Sequence, residues 1–206
     1  MTPEKSKTGV KKHWKNTELG VKLHVKNIKS RAKHWFFFEN KVKYRYQRKS
    51  DNMERFKRKI DSYLLEWKES KYKMPLIVSG ARQIGKTNAI RNFGTQNYKY
   101  FIEINFIEEN FYKDIFDEGY KVDNILKRIL YHSPLLNYEP GETLIFFDEI
   151  QKCPNCATSL KFFREDGRFD VICSGSLMGL NYKEIESNSV GNKTDYIMRS
   201  MDFEEF

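Results

Sequence analysis

The segment Gly80-Ala81-Arg82-Gln83-Ile84-Gly85-Lys86-Thr87 fits the pattern G-x-x-x-x-G-K-[ST] at every specified position. Few short patterns restrict a fold so tightly, because this one works only where a strand runs into a glycine loop and the loop opens a helix. Both neighbours are present. Residues 75–78 form an apolar run too short for a helix and read as a buried strand, and residues 87–93 read as a helix. In such a loop, glycines let backbone N–H groups converge on phosphate oxygens, and the helix dipole adds its positive end. The bare pattern arises by chance in on the order of one per cent of chains this long. An ordinary glycine-rich turn is therefore the weaker explanation.

The surrounding sequence supplies the rest of a sheet. From Met53, the residues Phe56, Ile60, Tyr63, Leu64 and Trp67 line one face of a helix predicted to end near Lys71. After the loop, a strand is expected at 98–105, an amphipathic stretch at 111–116, and a helix at 122–131 that stops before Pro134. A third strand covers 143–147. After Pro154, a helical pattern through Leu160, Phe162 and Phe163 reaches Asp166 and Gly167. A fourth strand at 170–173 ends at Ser174, and a weaker fifth covers 195–198. Alternating strands and helices predict an α/β, doubly wound, mostly parallel sheet of about five strands over residues 53–206.

Charge divides the chain differently. Residues 1–52 hold 15 Lys and Arg against four Asp and Glu, whereas the remainder holds 22 against 24. The net +9 thus belongs wholly to an N-terminal segment in which lysines alternate with Trp14, Trp35, Tyr44 and Tyr46 without helical or strand period. This is expected to be an irregular or disordered basic extension. No apolar run approaches the roughly 18 residues of a membrane span, and the odd set Cys153, Cys156 and Cys173 gives no disulfide framework. A soluble, cytoplasmic protein is expected.

The second chemical signal is Leu144-Ile145-Phe146-Phe147-Asp148-Glu149, an apolar strand that delivers two carboxylates to the edge where open α/β sheets bind ligands. Gly80, Ala81, Arg82, Gln83, Ile84, Gly85, Lys86 and Thr87 would cradle the phosphates, with Lys86 reaching the β and γ groups. Thr87 and Asp148 would hold Mg²⁺, Asp148 through a water, and Glu149 would polarise the water that attacks the γ-phosphate. Ser174 or Ser176, at the end of the next strand, would orient that water, although a plain Ser/Gly turn explains them as well. Arg164 and Arg168 are candidates for a transition-state cation, offered to a neighbouring subunit as arginine fingers are, and equally for surface arginines beside a turn.

MERFKRKIDSYLLEWKES, GARQIGKT, LIFFDEIQKCP, DGRFDVICSGSLMG and the closing MDFEEF together resemble the AAA+-type ATPases of prokaryotes, AAA domain proteins with a DUF4143-type C-terminal region. The resemblance spans residues 53–206. It implies ATP and Mg²⁺ as ligands and ATP hydrolysis driving a conformational change. It places Gly80, Gly85, Lys86 and Thr87 in Walker A, Asp148 and Glu149 in Walker B, and Ser174 or Ser176 at the sensor position. It also implies that the Ser174 strand lies between the strands carrying these two motifs. Members of the family continue past the closing segment into further helices and a C-terminal domain, so a lid and partner-binding parts are expected to be missing. A homo-oligomer or that further domain is the expected partner, and binding without turnover is the expected lesser outcome.

Three rival readings have sequence support. Asn192-Lys193-Thr194-Asp195 matches the guanine-reading N-K-x-D pattern but follows a polar stretch where an apolar strand is needed. Its glycosylation sequon is irrelevant in a cytoplasmic protein. Cys153 and Cys156 have zinc-ligand spacing, yet only Cys173 and His132 offer themselves as partners after Met53. The basic segment 1–52 suits nucleic-acid phosphates and bases, with the nucleotide site as a switch, though it carries no recognition motif.

Overall fold

The computed structural model describes residues 56–176 and 191–205, all within one unit, Phe56–Phe206. The basic extension, and the expected start of the first helix at Met53, lie outside the described residues.

Helix α1, Lys59–Glu69, forms because Ile60, Leu64 and Trp67 recur on one face and are buried there. Its first turn is closed reciprocally: the Arg58 N–H donates to Asp61 Oδ2 at 2.8 Å and the Asp61 N–H to the Arg58 carbonyl at 2.9 Å. The helix is shorter than its apolar pattern, and Phe56 stands half exposed ahead of it. Then follow β1 (Leu76–Gly80), α2 (Lys86–Asn97) and β2 (Tyr100–Asn105). A 3₁₀ helix, Asn110–Phe116, takes the place of the amphipathic stretch. It leads to α3 (Val122–His132), β3 (Thr143–Asp148) and a short 3₁₀ turn at Ile150–Lys152. Helix α4 (Pro154–Asp166) starts on proline and ends on left-handed Gly167 (φ 67°), whose N–H donates to the Phe163 carbonyl at 3.0 Å. Strands β4 (Asp170–Ser176) and β5 (Thr194–Met198) are the last two of the sheet.

The five strands are parallel in the order β2-β3-β4-β1-β5. The strand that carries Ser174 is therefore inserted between the phosphate-loop strand and the acid strand. It also runs further than the sequence pattern indicates. Ser174, Gly175 and Ser176 form strand rather than turn, because Val78, Ser79 and Gly80 of β1 pair with them in register.

Side chains alternate across this sheet, and both faces are covered. Ile77, Ile102, Ile104, Ile145, Phe147, Val171 and Cys173 pack with α3 and α4, around Ile125, Ile129, Leu160 and Phe163. Leu76, Val78, Leu144, Phe146 and Ile172 pack with α1 and α2, around Leu64, Trp67, Ile90 and Phe93. Continuing the second parity to the strand ends puts Asn105, Asp148, Ser174 and Ser176 on the α1/α2 side of the sheet. The helix that opens at Lys86 lies on that same side.

Candidate functional site

β1 ends at Gly80, and the chain crosses five positions before α2 begins. A Cβ on Gly80 would stand 2.4 Å from the Met198 carbonyl oxygen and 2.7 Å from Ile84 Cδ1, so the backbone of β5 leaves room for glycine alone. Gly85, at φ 92°, is left-handed and caps the helix. Among the described residues, two non-glycine positions have positive φ: Gln83 (63°) inside the loop and Glu149 (59°) at the end of β3. Such conformations cost on the order of 1–3 kcal/mol and gather at functional sites, where the surroundings hold them. Gln83 lies in the loop itself, and Glu149 directly follows Asp148.

Asp148 is the hub of the hydrogen bonds at this sheet edge. Its Oδ2 accepts the Thr87 hydroxyl at 3.0 Å and the Asn105 amide at 3.0 Å. Its Oδ1 accepts the Glu149 N–H at 3.1 Å and the Ser174 hydroxyl. Asp148 is 2% exposed, and burial raises its pKa against the opposing pull of the Ser174 and Thr87 hydrogen bonds. Lys86 Nζ folds onto the loop, donating to the carbonyls of Gly80 at 3.1 Å and Ala81 at 2.6 Å. Burial lowers its pKa, and the neighbouring Glu149 and Asp148 oppose that shift. Glu149 accepts a hydrogen bond from the Gln151 amide.

The predicted residues are thus brought together: Lys86, Thr87, Asp148, Glu149 and Ser174 surround one edge of the sheet, with Ser176 in register with Gly80. Sequence reasoning missed Asn105, Gln151 and the pair Arg91–Glu103. Arg91 lies one turn beyond Thr87 on α2 and grips Glu103 of β2 with Nε at 2.9 Å and Nη2 at 2.6 Å. That fork ties the phosphate-loop helix to the sheet. The available signal was parity, since Glu103 and Asn105 share the α2 side with Asp148, but it becomes usable only once β2 is known to lie beside β3.

Other candidates lie elsewhere. Arg168 binds Asp166 and Asp123, each at 2.7 Å, and precedes β4, at the opposite sheet edge. Arg164 donates to the Gly191 carbonyl and, at 2.8 Å, to Asn192 Oδ1. The N-K-x-D residues occupy the start of β5, again at the edge away from Gly80, and Lys193 pairs with Asp195. Cys153, Cys156 and Cys173 are buried in the core. Burial pushes the Cys153 thiol up to about 11 and the Cys156 thiol well above its ordinary value, so neither is a thiolate at neutral pH. Among the described residues, no group of three His, Cys, Asp or Glu is placed to hold a metal.

A family model described as an AAA domain matches residues 72–206. The chain belongs to the AAA domain family. It is a nucleotide-binding P-loop ATPase of the AAA type, and its parallel five-stranded sheet is the fold of that class. No curated protein matches this AAA domain chain. Among solved structures, PCH-2 of C. elegans is similar, with TM-score 0.40, 14% identity, 68% of this chain covered and 42% of that one. The AAA domain chain thus spans less than half the length of that relative. Among the described residues, no helix is long and apolar enough to cross a membrane.

Proposed function

We propose that this AAA domain binds ATP with Mg²⁺ and hydrolyses it, using residues of the Gly80–Thr87 loop and of the β3 terminus. The observation that carries the reading is the 3.0 Å bond from the Thr87 hydroxyl to Asp148, which joins the loop helix to the acid strand. The donor set suits the group. A hydroxyl and a carboxylate oxygen side by side are the hard oxygen ligands that Mg²⁺ takes, and a lysine whose ammonium donates to the Gly80 and Ala81 carbonyls has acceptors to exchange for phosphate. Bound there, Mg²⁺ would neutralise charge shared between the β- and γ-phosphate oxygens.

The chain's own residues do the rest. Loop N–H groups from Ala81 to Thr87 bind the phosphates, and Lys86 leaves the Gly80 and Ala81 carbonyls to reach them. Glu149 takes the proton of the attacking water, held in place by Gln151 and by its left-handed backbone. Ser174 fixes the Asp148 carboxylate and Asn105 holds it from the other side. Ser176 is the remaining hydroxyl of the same strand end and is assigned to water orientation. The energy released drives a conformational change in the protein that contains this domain.

A fluorescent ATP analogue titrated with Mg²⁺, followed by phosphate-release kinetics, tests the assignment. Lys86→Ala is expected to lose nucleotide affinity, and Glu149→Gln to bind normally while turnover falls by a factor of about 10²–10⁴. Unchanged affinity in the lysine variant would sink the site assignment.

A further inference from the structure

Arg58 takes no part in the chemistry above, yet its guanidinium joins three segments beside the phosphate loop. The side chain is 10% exposed. Nη1 donates to the Ile84 carbonyl at 3.1 Å, Nη2 donates to the Arg199 carbonyl at 3.0 Å, and Nε stands 3.1 Å from Glu205 Oε2. Glu205 is itself fixed: Oε1 accepts the Lys59 N–H at 2.7 Å and Oε2 accepts the Asp202 N–H at 3.2 Å. Asp202 in turn accepts the backbone N–H groups of Glu204 and Glu205 and pairs with Lys59 Nζ at 2.6 Å. Residues 201–205 are thereby folded back onto the first turn of α1.

Ile84 sits between the two left-handed residues of the loop, Gln83 and Gly85. Left-handed turns of this kind aim successive N–H groups into one concavity. The Ile84 carbonyl is engaged by Arg58, so the peptide unit that follows it is held against rotation. A loop held in its anion-binding form has less ordering left to do when phosphate arrives. The three-way grip needs the planar fork of arginine, because a lysine ammonium cannot reach Ile84, Arg199 and Glu205 with the same geometry.

We propose that Arg58 is a positioning residue for phosphate binding and that Glu205 sets it, so that docking of residues 201–205 on α1 is coupled to nucleotide affinity. This rests on the nucleotide reading given above. Coupling of two equilibria is reciprocal. ATP tightens the docking of 201–205, and any change that undocks that segment weakens ATP.

The test uses the full chain, titrated with the fluorescent ATP analogue and Mg²⁺, with thermal unfolding and amide exchange of residues 201–205 measured beside it. Arg58→Ala and Arg58→Lys are each expected to weaken ATP about tenfold, within the range of ordinary allosteric coupling, while the unfolding midpoint changes little. Glu205→Gln is expected to weaken it about threefold, and the Arg58→Ala, Glu205→Gln double variant to be no weaker than Arg58→Ala alone, since both act along one path. ATP should slow exchange at 201–205 in the unaltered chain and not in Arg58→Lys. If Arg58→Ala does not fold, Arg58→Lys and Glu205→Gln decide the matter by the same readings. A lowered unfolding midpoint with unchanged ATP affinity, or additive losses in the double variant, would overturn the proposal. No ATP binding by the unaltered chain would overturn the nucleotide reading and this inference with it. ATP affinity lost in Lys86→Ala but kept in the Arg58 variants would overturn this inference alone.

Discussion

Asp148 receives four hydrogen bonds from its neighbours, and burial still holds its pKa above the ordinary aspartate value. The sign of the consequence follows from that direction. A carboxyl whose folded pKa is raised contributes full stability below its unfolded pKa and loses it as pH rises through the folded value. Ionising Asp148 in the nucleotide-free domain therefore carries a desolvation cost, which a cation would offset. On acidification, Asp148 regains its proton earlier than an exposed aspartate, and under the proposed function it would then no longer hold Mg²⁺. The Mg²⁺-dependent part of ATP affinity is expected to fall above the ordinary carboxylate range as pH is lowered, measured by titration with and without Mg²⁺. An unchanged Mg²⁺ dependence down to that ordinary range would contradict this. At this scale the sequence was readable wherever residue type and spacing are both demanded, as at Gly80, Gly85, Lys86 and Thr87. Asn105 and Gln151 were not readable, because an amide at a strand end has many uses and only the neighbour in space selects one.

Elements were legible where burial imposes a period. Helix α3 buries Val122, Ile125, Leu126 and Ile129, and its observed span departs from the sequence pattern by one residue. β4 was cut short because Ser-Gly-Ser resembles a turn, whereas pairing with Val78, Ser79 and Gly80 of β1 supplies hydrogen bonds that keep it extended. Gly94 of α2 is a packing feature that sequence does not announce. A Cβ there would stand 2.4 Å from Phe101 Cδ2, 2.5 Å from Cε2 and 3.1 Å from Leu144 Cδ2. Gly94→Ala is therefore expected to destabilise the domain by about 1–3 kcal/mol, despite the better helix propensity of alanine. Chemical denaturation measures it, and a neutral or stabilised variant would show that Phe101 can move aside. Phe147 is fully buried with its ring near those of Phe106, Phe116 and Phe163. Phe147→Ala should cost about 3–5 kcal/mol.

For the molecule as a whole, the segregation of charge is the feature the sequence showed most openly. The excess of lysine and arginine lies in residues 1–52, while the site is assembled from residues 80–176. Deleting residues 1–52 is expected to leave ATP affinity unchanged. Any salt-dependent affinity for single-stranded nucleic acid should reside in that segment and vanish with it, as a titration at two salt concentrations would reveal. Loss of ATP affinity on deletion would show that the segment contributes to the nucleotide site. The topology of the sheet could not be read from composition or period, because strand order depends on which crossover places β4 next to β1.

That order also governs when the site can exist during synthesis. β1 pairs with β4 on one side and β5 on the other, and with neither β2 nor β3. While a ribosome is still adding the residues between Gly80 and Asp170, the strand that must support the phosphate loop has no sheet to join. The β2–β3 pair can assemble in the meantime, but the nascent chain gains its nucleotide pocket only after β4 emerges and slots between two strands made earlier. A stalled or truncated product ending before that point would display the complete GARQIGKT sequence and have no sheet to hold it.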